Sequence, residues 1–295
     1  MLLLLLSMFC VLEHSVETDE ISCNGLLFDH VYYDRELLLE NLGRPYNLVV
    51  HKFSATLFFS HTVQKGTEVD FEIMTFDLNK NFTNVVGGVP GGYAIAYDPG
   101  NDDIYFGGHD GIYKYNFLTK SAEFFAEEGK SIWGLFIRKN FYYIEYPTQK
   151  LHVYIDDKFV QVAEAVNIEV DNFFTTKRFD VYFSNKTALY KVDRFTQSPL
   201  ILNDDIVVRQ IVEDGFGDVY IAGNNGIYVE DKPYNRIKKV ANMDHLFGMT
   251  FDQNDHIIYS DKNTIYRLIP SNNSNACRRL LPPEIDSLMQ GFEAI

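Results

Sequence analysis

The residues of this chain best suited to chemistry are aromatic, and they recur at comparable places. Tyr46, Tyr93, Trp133 and Phe247 each stand just before, or at the start of, a short run of strand-forming residues. Asp171, Arg209 and His245 occupy similar places. Gathered at one mouth, with His61, His109 and Glu145 from neighbouring hairpins, they make an aromatic surface with few charges. Such a surface suits non-covalent capture of a flat, conjugated small molecule, since ring stacking adds roughly 0.5–1.5 kcal/mol per pair beyond burial. Arg209 is placed to hold a ligand carboxylate, with Arg44 and Lys130 as the other basic candidates. The expected ligand-binding set is Tyr46, Tyr93, Trp133, Arg209, His245 and Phe247. Any one of these rings alone would be ordinary packing; the set carries the reading.

Motifs of covalent and metal catalysis are missing from the sequence. It contains no G-x-S-x-G, no H-E-x-x-H and no C-x-x-C. Gly87-Gly88 and Gly91-Gly92 flank Val89-Pro90, which reads as a turn and not a phosphate cradle. The histidines are not paired at metal-ligand spacing. Asp98, Asp102, Asp103, Asp214, Asp218, Asp252 and Asp255 fall between successive strands. Aspartate suits such places because its carboxylate mimics a turn hydrogen bond, so turns are expected there and not calcium. No catalytic residue, metal or organic cofactor is expected.

The elements that must position the aromatic set form an internal repeat. A turn residue followed by aromatic and β-branched residues recurs, centred on positions 58, 105, 142, 182, 220 and 258. Tyr113, Tyr190, Tyr228 and Tyr266 each lie 8 residues beyond a centre. Between the two strands sit tight-turn segments such as His109-Asp110-Gly111 and Asn224-Asn225-Gly226, strong hairpin signals. The first repeat has a longer hairpin, Val63 to Asp70. Each unit also has a strand before this hairpin, as in Ala94-Ile95-Ala96-Tyr97, and one after, as in Phe124-Phe125-Ala126. Four short strands per unit of about forty residues is the signature of a propeller blade. A β-helix needs shorter repeats, and a sandwich would not hold the fixed offset. The expectation is an all-β, six-bladed β-propeller with four-stranded antiparallel blades.

A ring must join its ends or leave open sheet edges. Arg35-Glu36-Leu37-Leu38-Leu39-Glu40 is placed to be the outer strand of blade six, with Arg278 to Leu281 as the competing segment. Cys23 and Cys277 stand near the two ends of the chain, and ring closure predicts that they pair.

Leu2 to Leu6, Met8, Phe9, Val11 and Leu12 make an apolar run of signal-peptide length, too short to span a bilayer. Residues 1–17 are therefore expected to be a removed leader carrying Cys10, and residues 18–295 a single secreted domain. Asn81, Asn185 and Asn272 head glycosylation sequons. The net charge of −15, from 41 acidic and 26 basic residues, opposes binding to nucleic acid or an anionic membrane. The expected form is a monomer whose partner is a small aromatic molecule.

The Leu-rich leader, the Cys23 and Cys277 pair, and blades reading Tyr93-Ala94-Ile95-Ala96-Tyr97-Asp98 and Gly226-Ile227-Tyr228 together resemble the ommochrome-binding proteins of moth haemolymph. That resemblance, over essentially the whole chain, implies a soluble carrier of ommochromes, which are phenoxazinone pigments of tryptophan metabolism. The fold also resembles the regucalcin and gluconolactonase propellers, which implies metal-dependent lactone hydrolysis as the alternative. Those enzymes hold a divalent metal with one Glu and several Asn or Asp residues in Pro-Asn-Gly and Pro-Asp-Gly contexts. Here those contexts are missing, and the leading strand reads Tyr46-Asn47-Leu48 where their first metal-binding Glu would stand.

Overall fold

The computed structural model describes residues 23–280, apart from positions 194, 196 and 197. The expected leader lies outside the described residues. Two strands, β1 (Gly25–Phe28) and β2 (Val31–Leu39), come first. Blade one then runs β3 (Pro45–His51), β4 (Thr56–Lys65), β5 (Glu68–Asp77) and β6 (Phe82–Val85). Blade two comprises β7 (Ala94–Asp98), β8 (Asp103–Gly107), β9 (Ile112–Asn116) and β10 (Ser121–Ala126). Blade three comprises β11 (Ile132–Ile137), β12 (Phe141–Glu145), β13 (Lys150–Ile155) and β14 (Lys158–Gln161). Blade four comprises β15 (Asn172–Thr175), β16 (Val181–Ser184), β17 (Leu189–Val192) and β18 (Pro199–Asn203). Blade five comprises β19 (Val208–Glu213), β20 (Val219–Gly223), β21 (Gly226–Asp231) and β22 (Arg236–Asn242). Blade six holds β23 (Gly248–Phe251), β24 (Ile257–Ser260) and β25 (Ile265–Pro270). All pairings within the blades are antiparallel, and the first strands of successive blades meet around a ring that closes between β23 and β3.

The apolar runs of the repeat are buried on both faces of each sheet. On β4, Leu57 and Phe59 pack with Ile258 and Ile265 of blade six, while Phe58 packs with Ile104 and Phe106 of blade two. On blade two, Ala94, Ala96 and Tyr105 face Ile132 and Tyr143 of blade three. Successive side chains of a strand point to opposite faces, so each blade feeds two inter-blade cores and its strands carry apolar residues at successive positions.

Blade six closes with the N-terminal strand: β2 pairs with β25, Leu37 opposite Tyr266. The sheet has five strands and not the expected four, because β1 pairs outside β2 and its end reaches blade five through the Asp29 N–H to the Val240 carbonyl. Of the competing segment, Arg278 to Leu280 end a helix, α1 (Ser274–Leu280), and Leu281 lies outside the described residues; the Tyr32 N–H donates to Ser274 Oγ. Cys23 and Cys277 are joined by a disulfide with Cα atoms 5.5 Å apart across 254 residues. In the chain-entropy picture a loop of that length contributes on the order of 5 kcal/mol.

The aspartates between first and second strands form turns. Asp98 Oδ1 accepts the Gly100 N–H, Asp214 Oδ1 those of Phe216 and Asp218, and Asp252 Oδ1 those of Asn254 and His256. The first hairpin is longer in its strands and not in its loop: β4 and β5 pair out to Lys65 and Glu68, leaving only Gly66 and Thr67 between them.

Candidate functional site

The first strands present their open edges to a central channel, which contains a cavity of about 620 Å³. That volume lies within the usual 300–1,000 Å³ of small-molecule sites. An open edge leaves backbone N–H and C=O groups unpaired. Three carboxamides pair some of them. Asn47 Nδ2 donates to the Tyr93 carbonyl at 2.8 Å, and Asn172 Nδ2 to the Val208 carbonyl at 3.2 Å. Gln210 reaches further: Oε1 accepts the N–H groups of Leu48 and Met249, and Nε2 donates to the Leu48 carbonyl at 2.7 Å. Blades five, six and one are thereby tied together at one level of the channel. Gly248 permits this approach, since a Cβ there would lie 2.6 Å from Leu48 Cδ1 and 3.3 Å from Gln210 Oε1.

At the end where the first strands begin, each blade contributes a side chain by one of two local devices. In β11, Ile132 pairs with Glu145 and Gly134 with Ile144, leaving Trp133 as the extra residue of a bulge. In β19, Val208 pairs with Gly223 and Gln210 with Ala222, leaving Arg209 extra. β3 carries a register shift too, but just beyond its ring: Tyr46 pairs with Ser60 and Val49 with Phe58, so the extra residue follows Tyr46. A bulge re-aims the side chain of its extra residue. In the alternate blades, Tyr93, Asp171 and Phe247 stand one residue before the strand, each fixed by its N–H to the second strand: Gly107, Ser184 and Ser260 carbonyls at 2.9, 2.8 and 3.0 Å.

The rings form a continuous belt. Tyr93 stacks on Trp133 with centroids 4.3 Å apart and planes 18° off parallel. Tyr46 meets Tyr93 at 5.6 Å and Phe247 at 5.5 Å. The belt is extended by two rings absent from the expected set. Phe71, on the long strand β5, touches Tyr93 at 4.7 Å and Tyr46 at 6.0 Å. Tyr146, after β12, lies 5.6 Å from Trp133. The Arg44 and Arg209 guanidiniums lie over the Phe247 ring, 4.7 and 5.5 Å from its centroid. Burial raises the Tyr93 hydroxyl above the ordinary phenol value, with Tyr46 adding to the shift and Arg209 opposing it. Burial likewise raises the Asp171 carboxyl; Lys186 opposes this and Glu169 adds to it. Gln149 donates a hydrogen bond to Asp171.

Five of the six expected ligand residues, Tyr46, Tyr93, Trp133, Arg209 and Phe247, line the cavity, as does Asp171. His245 does not: it is an exposed turn residue with φ 62°, two positions before Phe247. The hairpin residues are engaged with neighbours. His109 Nε2 lies 3.0 Å from Asp70 Oδ1, His61 Nε2 3.7 Å from Glu72, and Glu145 accepts from Lys130 at 2.8 Å. Sequence could have flagged Phe71 only through the unusual length of the first hairpin.

The described residues of the channel do not fit a lactonase-type metal. The channel amides of Asn47, Asn172 and Gln210 are engaged with backbone groups of different blades. Among the described residues no three His, Cys, Asp or Glu side chains cluster to hold an ion. Among them, too, no helix is long and apolar enough to cross a membrane.

No protein-family model matches the chain. A gluconolactonase from Xanthomonas campestris shares the fold, with a TM-score of 0.66 at 11% identity, over 84% of this chain and 96% of that one. The virginiamycin B lyase of Staphylococcus aureus aligns with a TM-score of 0.53 at 11% identity, over 80% of this chain and 98% of that one. Over 244 residues, 81% of this chain and 88% of the relative, the chain is 28% identical to the ommochrome-binding protein of Manduca sexta, which bears out the resemblance read from its sequence.

Proposed function

We propose that this protein is a secreted carrier that binds an ommochrome pigment non-covalently at the aromatic mouth of its channel. The observation that carries the reading is the belt of Phe247, Tyr46, Tyr93 and Trp133 opening on a 620 Å³ cavity. A flat, conjugated ring system gains most from such a surface, because stacked and edge-on contacts with several rings add to its burial. The Manduca sexta relative is named for the same ligand class. The expected leader and the terminal disulfide support release into an oxidising fluid. Lactone hydrolysis has only the likeness of fold behind it, and the engaged amides of the channel offer a catalytic metal no common point of attachment.

The test is a titration of the purified protein with an isolated ommochrome, followed by visible absorbance. The expected outcome is a shifted pigment band that saturates at one pigment per chain and survives a chelator. An unshifted spectrum would overturn the reading. Chelator-sensitive hydrolysis of a sugar lactone would replace it with the enzyme.

A further inference from the structure

The cations named at the mouth fall into two kinds. Lys130 donates to Glu145 at 2.8 Å, and Lys186 lies 3.4 Å from Glu169. Arg44 and Arg209 form no ion pair among the described residues; both are exposed and both lie over Phe247. Arg44 also donates from Nη1 to the Tyr46 hydroxyl at 3.3 Å. In a chain with 41 acidic and 26 basic residues, two neighbouring guanidiniums without an acid are a departure from the average surface. The nearby carboxylates are engaged elsewhere: Asp171 with Gln149, Glu145 with Lys130, and Asp70 with Lys65 and His109.

An aromatic face holds a guanidinium by its plane and leaves the N–H groups on its edge free. Those edges match a carboxylate, which accepts two parallel hydrogen bonds. We propose that Arg44 and Arg209, seated on Phe247, recognise a carboxylate of the ligand, so that the mouth selects planar aromatic acids over their neutral analogues. The inference rests on the reading of this mouth as the ligand site. It also answers how an acidic protein takes up an acidic ligand: the net charge repels at long range, and the pair attracts at contact.

The probes are phenazine-1-carboxylate and phenazine-1-carboxamide, two flat tricycles that differ in charge. Wild-type protein should bind the acid about tenfold more tightly than the amide, the size expected of a charge-assisted hydrogen bond. Arg44→Met and Arg209→Met should each reduce that preference several-fold, and in the double variant acid and amide should bind equally. Raising the salt concentration should erode the preference in the wild type and not in the double variant. Equal affinity for acid and amide in the wild type, no binding of the acid, or a preference that persists in the double variant would each overturn the proposal. An isolated ommochrome, titrated in parallel, separates the two readings. Wild type that prefers the phenazine acid but binds no ommochrome breaks the pigment reading and leaves the arginine pair standing. A double variant that holds ommochrome as tightly as wild type breaks the pair and leaves the pigment reading standing.

Discussion

The two ends of the channel are built from the same six strands, and they differ in how completely their charges are matched. At the far end, where the first strands finish, Lys52 pairs with Asp255 at 3.2 Å and Arg138 with Glu213 at 3.3 Å. Lys177 donates from Nζ to the Asp214 carbonyl and from its backbone N–H to both oxygens of Glu213. The end is polar and self-neutralised. At the mouth, rings replace most of the charges, and the two arginines lying over Phe247 pair with no acid among the described residues. One end completes its interactions within the protein, which serves stability. The other leaves aromatic edges and cation donors that, in the proposed reading, a ligand completes.

The contrast breaks most readily at Glu213, whose side chain is 3% exposed. Glu213→Ala removes the acceptor of the Lys177 N–H and leaves Arg138 unpaired, at a cost of about 3 kcal/mol. Urea denaturation should show that loss, while pigment affinity stays at the wild-type value. A fall in affinity matching the fall in stability would mean that the two ends are not separate.

At the mouth the effect should fall on binding. Trp133→Leu removes the ring stacked on Tyr93, and a loss of roughly 0.5–1.5 kcal/mol per aromatic pair predicts pigment affinity several-fold weaker. Its unfolding midpoint should move less than that of Glu213→Ala. Wild-type affinity in both Trp133→Leu and Tyr93→Leu would place the ligand elsewhere.

Acidification sharpens the difference further, because the mouth side of the ring carries a buried histidine, His61, and a half-buried one, His152. His61 has neither ring nitrogen hydrogen-bonded, and burial lowers its value below the ordinary 6.5, with Glu72 opposing. Burial lowers His152 in the same way, with Glu145 opposing. Between 6.5 and the lowered value, the unfolded chain binds protons that the folded chain does not, so stability falls as pH falls. Denaturation midpoints measured from pH 7 to 5.5 should decline, and His61→Gln should flatten the curve. An equally steep decline in that variant would remove His61 from the account.

The smallest expected effect concerns glycans. Asn81, in the turn after β5, and Asn272, after β25, are exposed and lie at the far end. Asn185 stands at the cavity, where its Oδ1 accepts the N–H groups of Thr187 and Ala188 and its Nδ2 donates to the Tyr190 hydroxyl at 3.3 Å. Peptide mapping of the protein expressed in insect cells should find sugar on Asn81 and Asn272 and none on Asn185. Asn81→Gln and Asn272→Gln should leave pigment affinity unchanged. Sugar on Asn185 would show that the mouth is narrower than its side chains make it.

Legibility in the sequence followed the range of the interactions. The repeat was plain because every blade meets the same local demand: apolar residues on both faces of a short strand, and a Gly or Asn turn at a fixed offset. The disulfide followed from the need to seal a ring, which also called for a closing strand without deciding between Arg35–Glu40 and Arg278–Leu281. Strand β1 did not, because a fifth strand answers no demand of the repeat; it depends on what Asp29 meets on blade five. The expected site residues drew on strand starts, so they marked one end of the channel without its geometry. His245 fell just outside it, as an exposed turn residue with φ 62° two positions before Phe247.

The sequence by itself determined the six blades, their inter-blade cores and the joining of the two ends, since these are set by period-two burial and turn chemistry within some forty residues. Only the tertiary structure decided which side chains enter the channel. Trp133 and Arg209 are aimed there because each is the extra residue of a bulge, and a bulge is a mismatch between two strands that neither strand shows alone. Phe71 and Arg44 joined the mouth through contacts with residues of other strands and blades, and such contacts exist only once the ring has closed.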